Sequence, residues 1–352
     1  MDGLRLDAVH AILDDSRPDI LQELARTVRA TLGPERHVHL VLENDHNAAR
    51  YLGHTAGAGG ARYDAQWNDD AHHALHALLT GEDDGYYIDY AHEPIRHLGR
   101  CLTQGFDYQG EPSAFRQGET RGEASGHLPP SAFVNFLQNH DQVGNRAFGE
   151  RLAALAPPAA LRAATAVLLL APATPLLFMG EEWGAHEPFL FFCDFGPDVA
   201  PAVTAGRRRE FGRFARFRDA AARATIPDPC DVSTFERSRL DATARERAPH
   251  AAWLVLYREL LALRQRHIVP RLRGARGDGY HVLGPRAVRA AWRLGDGARL
   301  TLYLNVAPTP VACDDIPAGD ALYRAAPPAA DPWPVRALPA HAVAWYLETG
   351  NG

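Results

Sequence analysis

The chain has 352 residues, 46% hydrophobic and 23% charged, enough for one large domain and a smaller one. Its formal net charge is −6, which argues against bulk binding to nucleic acid or to an anionic membrane. No apolar run reaches the ~18 residues of a membrane helix and no basic start leads into an apolar segment, so neither a span nor a signal peptide is expected, and the expected location is the cytoplasm.

Along the chain, Leu4–Val9 reads as a short apolar strand. Asp19–Thr31 has helical spacing, with Ile20, Leu21, Leu24 and Val28 on one side, and Gly33-Pro34 stops it. Val38–Leu42 is the next strand, Arg62–Trp67 a third, and Ala71–Thr80 a helix that ends at Gly81. The stretch 86–126 is rich in loops, with a helix at Pro94–Gln104. Ala132–Gln138 is a strand, Ala159–Leu170 a helix and Thr174–Met179 a strand. Such alternation predicts parallel βαβ units. The segment 186–250 breaks the rhythm with an Arg-rich helix, Gly206–Phe217, whose Phe211, Phe214 and Phe217 form a docking stripe. Trp253–Arg266 reads as a closing helix. Beyond Gly274 the period changes to two, at Ala287–Leu294, Leu300–Val306 and Val343–Leu347, which predicts an antiparallel sheet. The expected fold is α/β. A partial (β/α)8 barrel over 1–273 holds five of the eight strands that a closed barrel needs, and a small antiparallel all-β domain covers 274–352.

Three strands end on carboxylates: Asp7, Glu43 and Asp141. Strand C-termini of a (β/α) barrel share one rim, so these three would form an acid site there. Retaining glycoside cleavage needs two carboxyl groups ~5–5.5 Å apart, one nucleophile and one proton donor. Arg5 lies two residues before Asp7 and so shares its strand face; a guanidinium there would hold Asp7 ionised. Glu43 must carry a proton to act as the acid.

Other features have plainer readings. His72, His73 and His76 are helically spaced, but no acidic residue is placed as in H-E-x-x-H, so packing is expected, with no metal and no cofactor. His37 and His39 read as wall residues of the sheet. Trp67 is read evenly as core aromatic or sugar platform, with the Asn68-Asp69-Asp70 run as a strand-end loop. Glu181 and Glu182 follow the last parallel strand and are expected at the same rim. The four cysteines, Cys101, Cys193, Cys230 and Cys313, contain no C-x-x-C pair, so reduced thiols are expected instead of a zinc or disulfide framework.

Arg5-x-Asp7, the strand ending in Glu43, and Asn139-His140-Asp141 resemble the motifs of the alpha-amylase superfamily of glycoside hydrolases. Three longer blocks, 63–76, 136–146 and 175–184, resemble the malto-oligosyltrehalose trehalohydrolase family, as do Gly81-Glu82, Gly85–Tyr87 and Gly206–Phe211. The resemblance implies Asp7 as nucleophile, Glu43 as general acid and base, and Asp141 as stabiliser of the transition state. It implies that Arg5 orients Asp7, that His140 donates to the sugar, and that His10 lies on the leaving-group side. Asp45, Trp67 and Asn68 complete the expected substrate-binding set. The implied reaction is hydrolysis of the α-1,4 bond next to the terminal trehalose of malto-oligosyltrehalose, with water and that α-glucan as the only partners. Two alternatives remain: a transglycosylating or debranching relative, and a non-catalytic truncated remnant. The family carries a β-domain, three barrel strands and an Asn-His motif ahead of the Arg5–Asp7 strand. The start Met1-Asp2-Gly3 resembles an internal Val-Asp-Gly of the family, so a fragment with a mis-assigned start is expected.

Overall fold

The computed structural model describes residues 2–32, 35–53, 62–317, 319–327 and 336–349. The expected stop at Gly33-Pro34 and the residue Met1 lie outside them. The chain forms two compact units: 1–136 with 162–176 and 260–352, and 137–161 with 177–259.

The first unit is built around a parallel sheet. Strands β1 (Gly3–Leu6), β2 (His39–Leu42), β3 (Ala65–Trp67), β6 (Phe133–Asn135) and β7 (Thr174–Pro175) lie side by side in that order, each pair parallel. A short hairpin, β4 (Glu111–Pro112) with β5 (Thr120–Arg121), lies in the expected loop region. Three of the parallel strands, β1, β6 and β7, stop earlier than their apolar runs, whereas β2 and β3 end where expected, at Leu42 and Trp67. Val9 turns into a 3-10 helix instead of extending β1. β6 ends at Asn135 and β7 at Pro175, not at Gln138 and Met179. Hydrophobicity marks burial, whereas a strand also needs a ladder partner for its backbone.

Helix α1 (Ile20–Thr31) starts where the Asp19 carboxylate accepts from Gln22 N–H at 2.9 Å, an N-cap that satisfies one orphan donor. It buries Leu21 and Ala25 with Leu40, Leu42, Leu52, Tyr63 and Phe106. Helix α2 (Asp69–Thr80) is buried along almost its whole length and ends at Gly81, whose φ of 77° favours glycine. Helix α3 (Pro94–Gln104) matches its expected bounds. After α5 (Pro158–Leu170), the buried Arg264 guanidinium donates to the carbonyls of Leu169, Ala171 and Ala173, the last at 2.7 Å. This cation on the helix's free carbonyls fixes the chain just before β7. Burial draws the Arg264 pKa down to about 10.

The C-terminal sheet has the order β12-β14-β10-β9-β8. Its members are β8 (Arg276–Gly284), β9 (Ala287–Arg293), β10 (Arg299–Asn305), β12 (Tyr323–Ala325) and β14 (Ala342–Glu348), all antiparallel. A two-residue ladder pairs β11 (Val311–Ala312) with β13 (Ala337–Leu338). Trp292 and Trp345 stack at 5.6 Å in its core. This sheet belongs to the same compact unit as the parallel one, so the compact units cut the chain differently from the expected boundary at 273. The Trp292 indole donates to Leu102 O of α3 at 2.9 Å. Gly99 of α3 is obligatory there, because a Cβ would come within 2.4 Å of the Tyr280 ring.

The second unit contains α4 (His140–Asn145), α6 (Ala200–Glu210) and most of α7 (His250–Leu263). The expected helix Gly206–Phe217 is corrected: α6 ends at Glu210, and two 3-10 turns carry 211–213 and 215–217. Phe211, Phe214 and Phe217 still gather, around Phe148 and Ile226. Three apolar rings at spacing three fit a 3-10 turn as well as a helix face.

Candidate active site

The tip of β1 carries a cluster of charged side chains. Arg5 binds the Asp7 carboxylate through Nη1, and its Nη2 lies 3.4 Å from Glu43 Oε2. Its guanidinium lies over the Trp67 ring, 4.1 Å from the centroid, a cation–π contact that fixes its plane. Trp67 in turn meets Phe136 edge-on at 5.8 Å. Glu43 Oε2 also accepts from the Ala8 N–H. Ala8 sits in the left-handed region, φ 43° and ψ 42°, a conformation that costs an alanine about 1–2 kcal/mol. The strain turns the backbone right after Asp7, so that the Ala8 amide meets Glu43 while Asp7 stays exposed.

The ladder beneath is regular: Glu43 N–H donates to Leu6 O at 2.9 Å and Val9 N–H to Glu43 O at 3.1 Å. Two residues on, the Asp45 N–H donates to His10 Nδ1 at 3.3 Å. The Asp45 carboxylate binds Arg116 through Oδ2 and lies 3.2 Å from Arg121 through Oδ1.

Below Asp45 stands a buried network that the sequence reading missed. Arg121 Nε donates to Asp45 O at 2.7 Å, and its Nη1 donates to Asp70 Oδ1 at 2.7 Å. Asp70 is 0% exposed. It also accepts from Tyr90 Oη at 2.6 Å, Asn47 Nδ2 at 2.8 Å, and the amides of Asp107 and Tyr108 at 2.9 and 3.0 Å. Burial alone would raise its pKa; the Arg121 charge and these donors outweigh it and hold the carboxyl below the usual range. Its neighbour Asp69, half-buried at the first position of α2, goes the other way. Lost hydration pushes it up to about 7 against the pull of Arg121, and the Glu43, Asp70 and Asp45 carboxylates add to the rise. The Asn-Asp-Asp run was the available signal. Arg121, in a loop, offered none.

The other expected residues take these places. Asn68 is fully buried, and its amide donates to Gly105 O and Asn135 Oδ1, both at 3.0 Å, tying β3 to β6. Arg5, Asp7, His10, Glu43, Asp45, Trp67 and Asn68 belong to the first compact unit, His140 and Asp141 to the second. Asn139 caps α4 and accepts from the amides of Asp141 and Gln142. His140 and Asp141 are exposed on its first turn, and Asn145 Nδ2 donates to Asp141 Oδ1 at 3.0 Å. Glu181 is buried, accepts from Tyr257 Oη at 2.9 Å and is pushed up to about 7 by its burial.

His72, His73 and His76 are packed, as expected: His76 stacks on Tyr87 at 4.2 Å and pairs with Glu82 at 2.7 Å. Among the described residues one group of metal-ligating type gathers, His37, His39 and Asp64. Asp64 there is already bound by the Arg29 guanidinium at 2.6 Å and by the Leu40 amide at 2.7 Å. Among the described residues, no helix is long and apolar enough to cross a membrane.

Comparison with known proteins places this geometry. Residues 275–345 match a family model described as a domain of unknown function, DUF3459. The chain is 43% identical over 266 residues to malto-oligosyltrehalose trehalohydrolase of Arthrobacter ramosus, covering 75% of this chain and 45% of that protein. It is 38% identical over 309 residues to the Deinococcus radiodurans protein of the same name, covering 85% and 49%. The chain thus spans about half the length of these relatives. A crystal structure of a putative alpha amylase from Salmonella typhimurium superposes with a TM-score of 0.89 at 42% identity, over 99% of this chain and 57% of that one. A cyclic maltosyl-maltose hydrolase from Arthrobacter globiformis shares the fold alone, at a TM-score of 0.51 and 15% identity. By sequence and by fold, the chain is therefore similar to about half of a malto-oligosyltrehalose trehalohydrolase, with a parallel sheet followed by an antiparallel one as in its alpha-amylase-type structural neighbours.

Proposed function

We propose that this chain carries the catalytic carboxylates of a retaining glycoside hydrolase that releases trehalose from malto-oligosyltrehalose. The parallel sheet would be the last five strands of a (β/α)8 barrel within 1–273, with 274–352 as a C-terminal β-domain; the match of residues 275–345 to a family model of their own supports that boundary. The observation that carries the reading is the Arg5 guanidinium, which contacts Asp7 and Glu43 through two adjacent nitrogens. Two carboxyl groups sharing one guanidinium support the reading of a retaining pair, whose members stand ~5–5.5 Å apart.

Asp7, exposed and contacted by the Arg5 guanidinium, attacks the anomeric carbon. Glu43 protonates the departing glucosyl oxygen, then takes a proton from the incoming water. Asp141 would stabilise the positive charge that develops on the sugar, and His140 would donate to the same ring. His10 and Asp45 lie along the leaving-group side. Trp67 shapes the floor through Arg5, and Asn68 holds Trp67 by tying its strand down.

The test uses a protein that includes the further segments found in the relatives. Asp7→Asn should abolish trehalose release while leaving substrate binding intact. Glu43→Gln should be inactive on the natural substrate but partly recover on a substrate whose leaving group needs no proton. Equal loss on both substrates would remove Glu43 as the acid. Transfer of the glycosyl unit to another sugar, with no free trehalose, would favour the transglycosylating or debranching alternative. A full-length protein with neither activity would leave the non-catalytic remnant.

A further inference from the structure

The four cysteines are far apart in sequence, yet two of them meet. Cys193 Sγ lies 3.6 Å from Cys230 Sγ, both thiols free. Both belong to the second compact unit. The backbone around them is pinned on both sides. Cys193 N–H donates to Pro229 O at 2.9 Å, so the two strands of chain run side by side at this point. Cys230 N–H donates to Asp228 Oδ1 at 2.9 Å. Asp228 is itself held by Thr204 Oγ1 at 2.7 Å and Thr234 Oγ1 at 2.6 Å. Next to the sulfurs, Phe192 meets Phe235 edge-on at 5.2 Å. Sulfurs in van der Waals contact on a backbone fixed this way need only a small side-chain rotation to reach a bond of ~2.05 Å. Cys101 and Cys313 are buried.

We propose that Cys193 and Cys230 form a reversible intramolecular disulfide by exchange with a small disulfide such as oxidised glutathione. One cysteine thiolate attacks a glutathione sulfur. The glutathione S–S bond breaks, a mixed disulfide forms, and one glutathione leaves and takes up a proton. The second cysteine then loses its proton and attacks the protein-side sulfur, expelling the second glutathione. The protein loses two protons and two electrons, and one oxidised glutathione takes them up to become two reduced ones. The new bond closes a loop that contains α6 and the Phe211–Phe217–Ile226 cluster, so it staples that segment to its own ends. Burial and the contact with Cys230, with the Asp228 and Asp194 charges behind them, push the Cys193 thiol up to about 11. Exchange is therefore slow at neutral pH and faster in alkali.

The experiment incubates a purified protein that includes the further segments found in the relatives with oxidised glutathione, quenches in acid, and maps disulfides by mass spectrometry. The expected result is one cross-link among the four cysteines of these 352 residues, joining the peptides of Cys193 and Cys230, with the thiol titre falling by two and returning with dithiothreitol. Cys193→Ser and Cys230→Ser should each stop at a glutathione adduct on the remaining partner. Oxidation should slow protease cutting within 193–230 about threefold or more in the parent and leave it unchanged in both serine variants. The same oxidation in denaturant should scatter links over all four cysteines, which shows that folding selects the pair. Stable glutathione adducts on both residues of the parent, a scattered pattern under native conditions, or four unchanged thiols would each overturn the proposal.

Discussion

The Asp70–Arg121 pair should be the main electrostatic support beneath the candidate site, and Asp70→Asn in a protein that includes the further segments found in the relatives tests it. Asparagine has the volume of aspartate and keeps acceptor capacity for Tyr90 or a backbone amide, so packing is conserved while the charge is removed. Arg121, 5% exposed, then loses its buried counter-charge. Breaking such a pair from one side costs about 3–5 kcal/mol. The lower end applies, because Asp45 Oδ1 still lies 3.2 Å from Arg121 but is half-exposed and well hydrated. A loss of about 3 kcal/mol in a protein of this size or larger should lower the melting temperature by about 2–4 °C. Urea denaturation followed by tryptophan fluorescence reads it, as a shifted midpoint at unchanged slope. The pH dependence gives a second check. The folded pKa of Asp70 lies below its unfolded value of about 3.8. Its contribution is therefore complete above pH ~4 and is lost as pH falls through the lower, folded value. Parent and variant should converge only in strong acid. A loss below ~1 kcal/mol at pH 7, or a gap that closes already between pH 7 and 5, would refute the account.

Glu181 runs in the opposite sense. Its folded pKa of about 7 exceeds the 4.5 of the unfolded chain, so the stability it lends below pH 4.5 fades as pH rises to 7. Glu181→Gln should match the parent at pH 4 and exceed it at pH 8 by on the order of 3 kcal/mol; equal stability at pH 8 would show that the carboxyl is ionised in the fold. Gly99→Val should drive a side chain into the Tyr280 ring and detach the C-terminal sheet from α3; an unchanged melting temperature would contradict that contact. Strands β1 and β7 terminate the parallel sheet among the described residues, and unpaired strand edges invite association. Expressed alone, the 352-residue chain should be largely insoluble or molten and release no trehalose. A soluble monomer with a sharp thermal transition that releases trehalose from malto-oligosyltrehalose would overturn that expectation.

The sequence by itself carried the periodic elements. Helix α3 matched its expected bounds and α1 its expected span to within a residue, because an apolar stripe at helical spacing, an Asp cap and a Pro start are local signals. The parallel strands were legible as apolar runs, and β2 and β3 end where expected, but the ends of β1, β6 and β7 were not legible. Where Leu6, Asn135 and Pro175 leave the ladder depends on which neighbouring strand offers a carbonyl, and that is a long-range fact. The same division holds for the candidate site. Asp7 and Glu43 were read as carboxylates at strand ends and follow their strands directly, whereas Asp141, read the same way, lies on the first turn of α4. Arg121 reaching from a hairpin to Asp45 and Asp70, and Cys193 meeting Cys230 across 37 positions, have no periodicity to betray them. Asp69 and Asp70 are adjacent and chemically identical, yet one is pushed up to about 7 and the other held below the usual range. Only the tertiary structure decides that, because it alone sets how much water each carboxyl loses and which donors replace it.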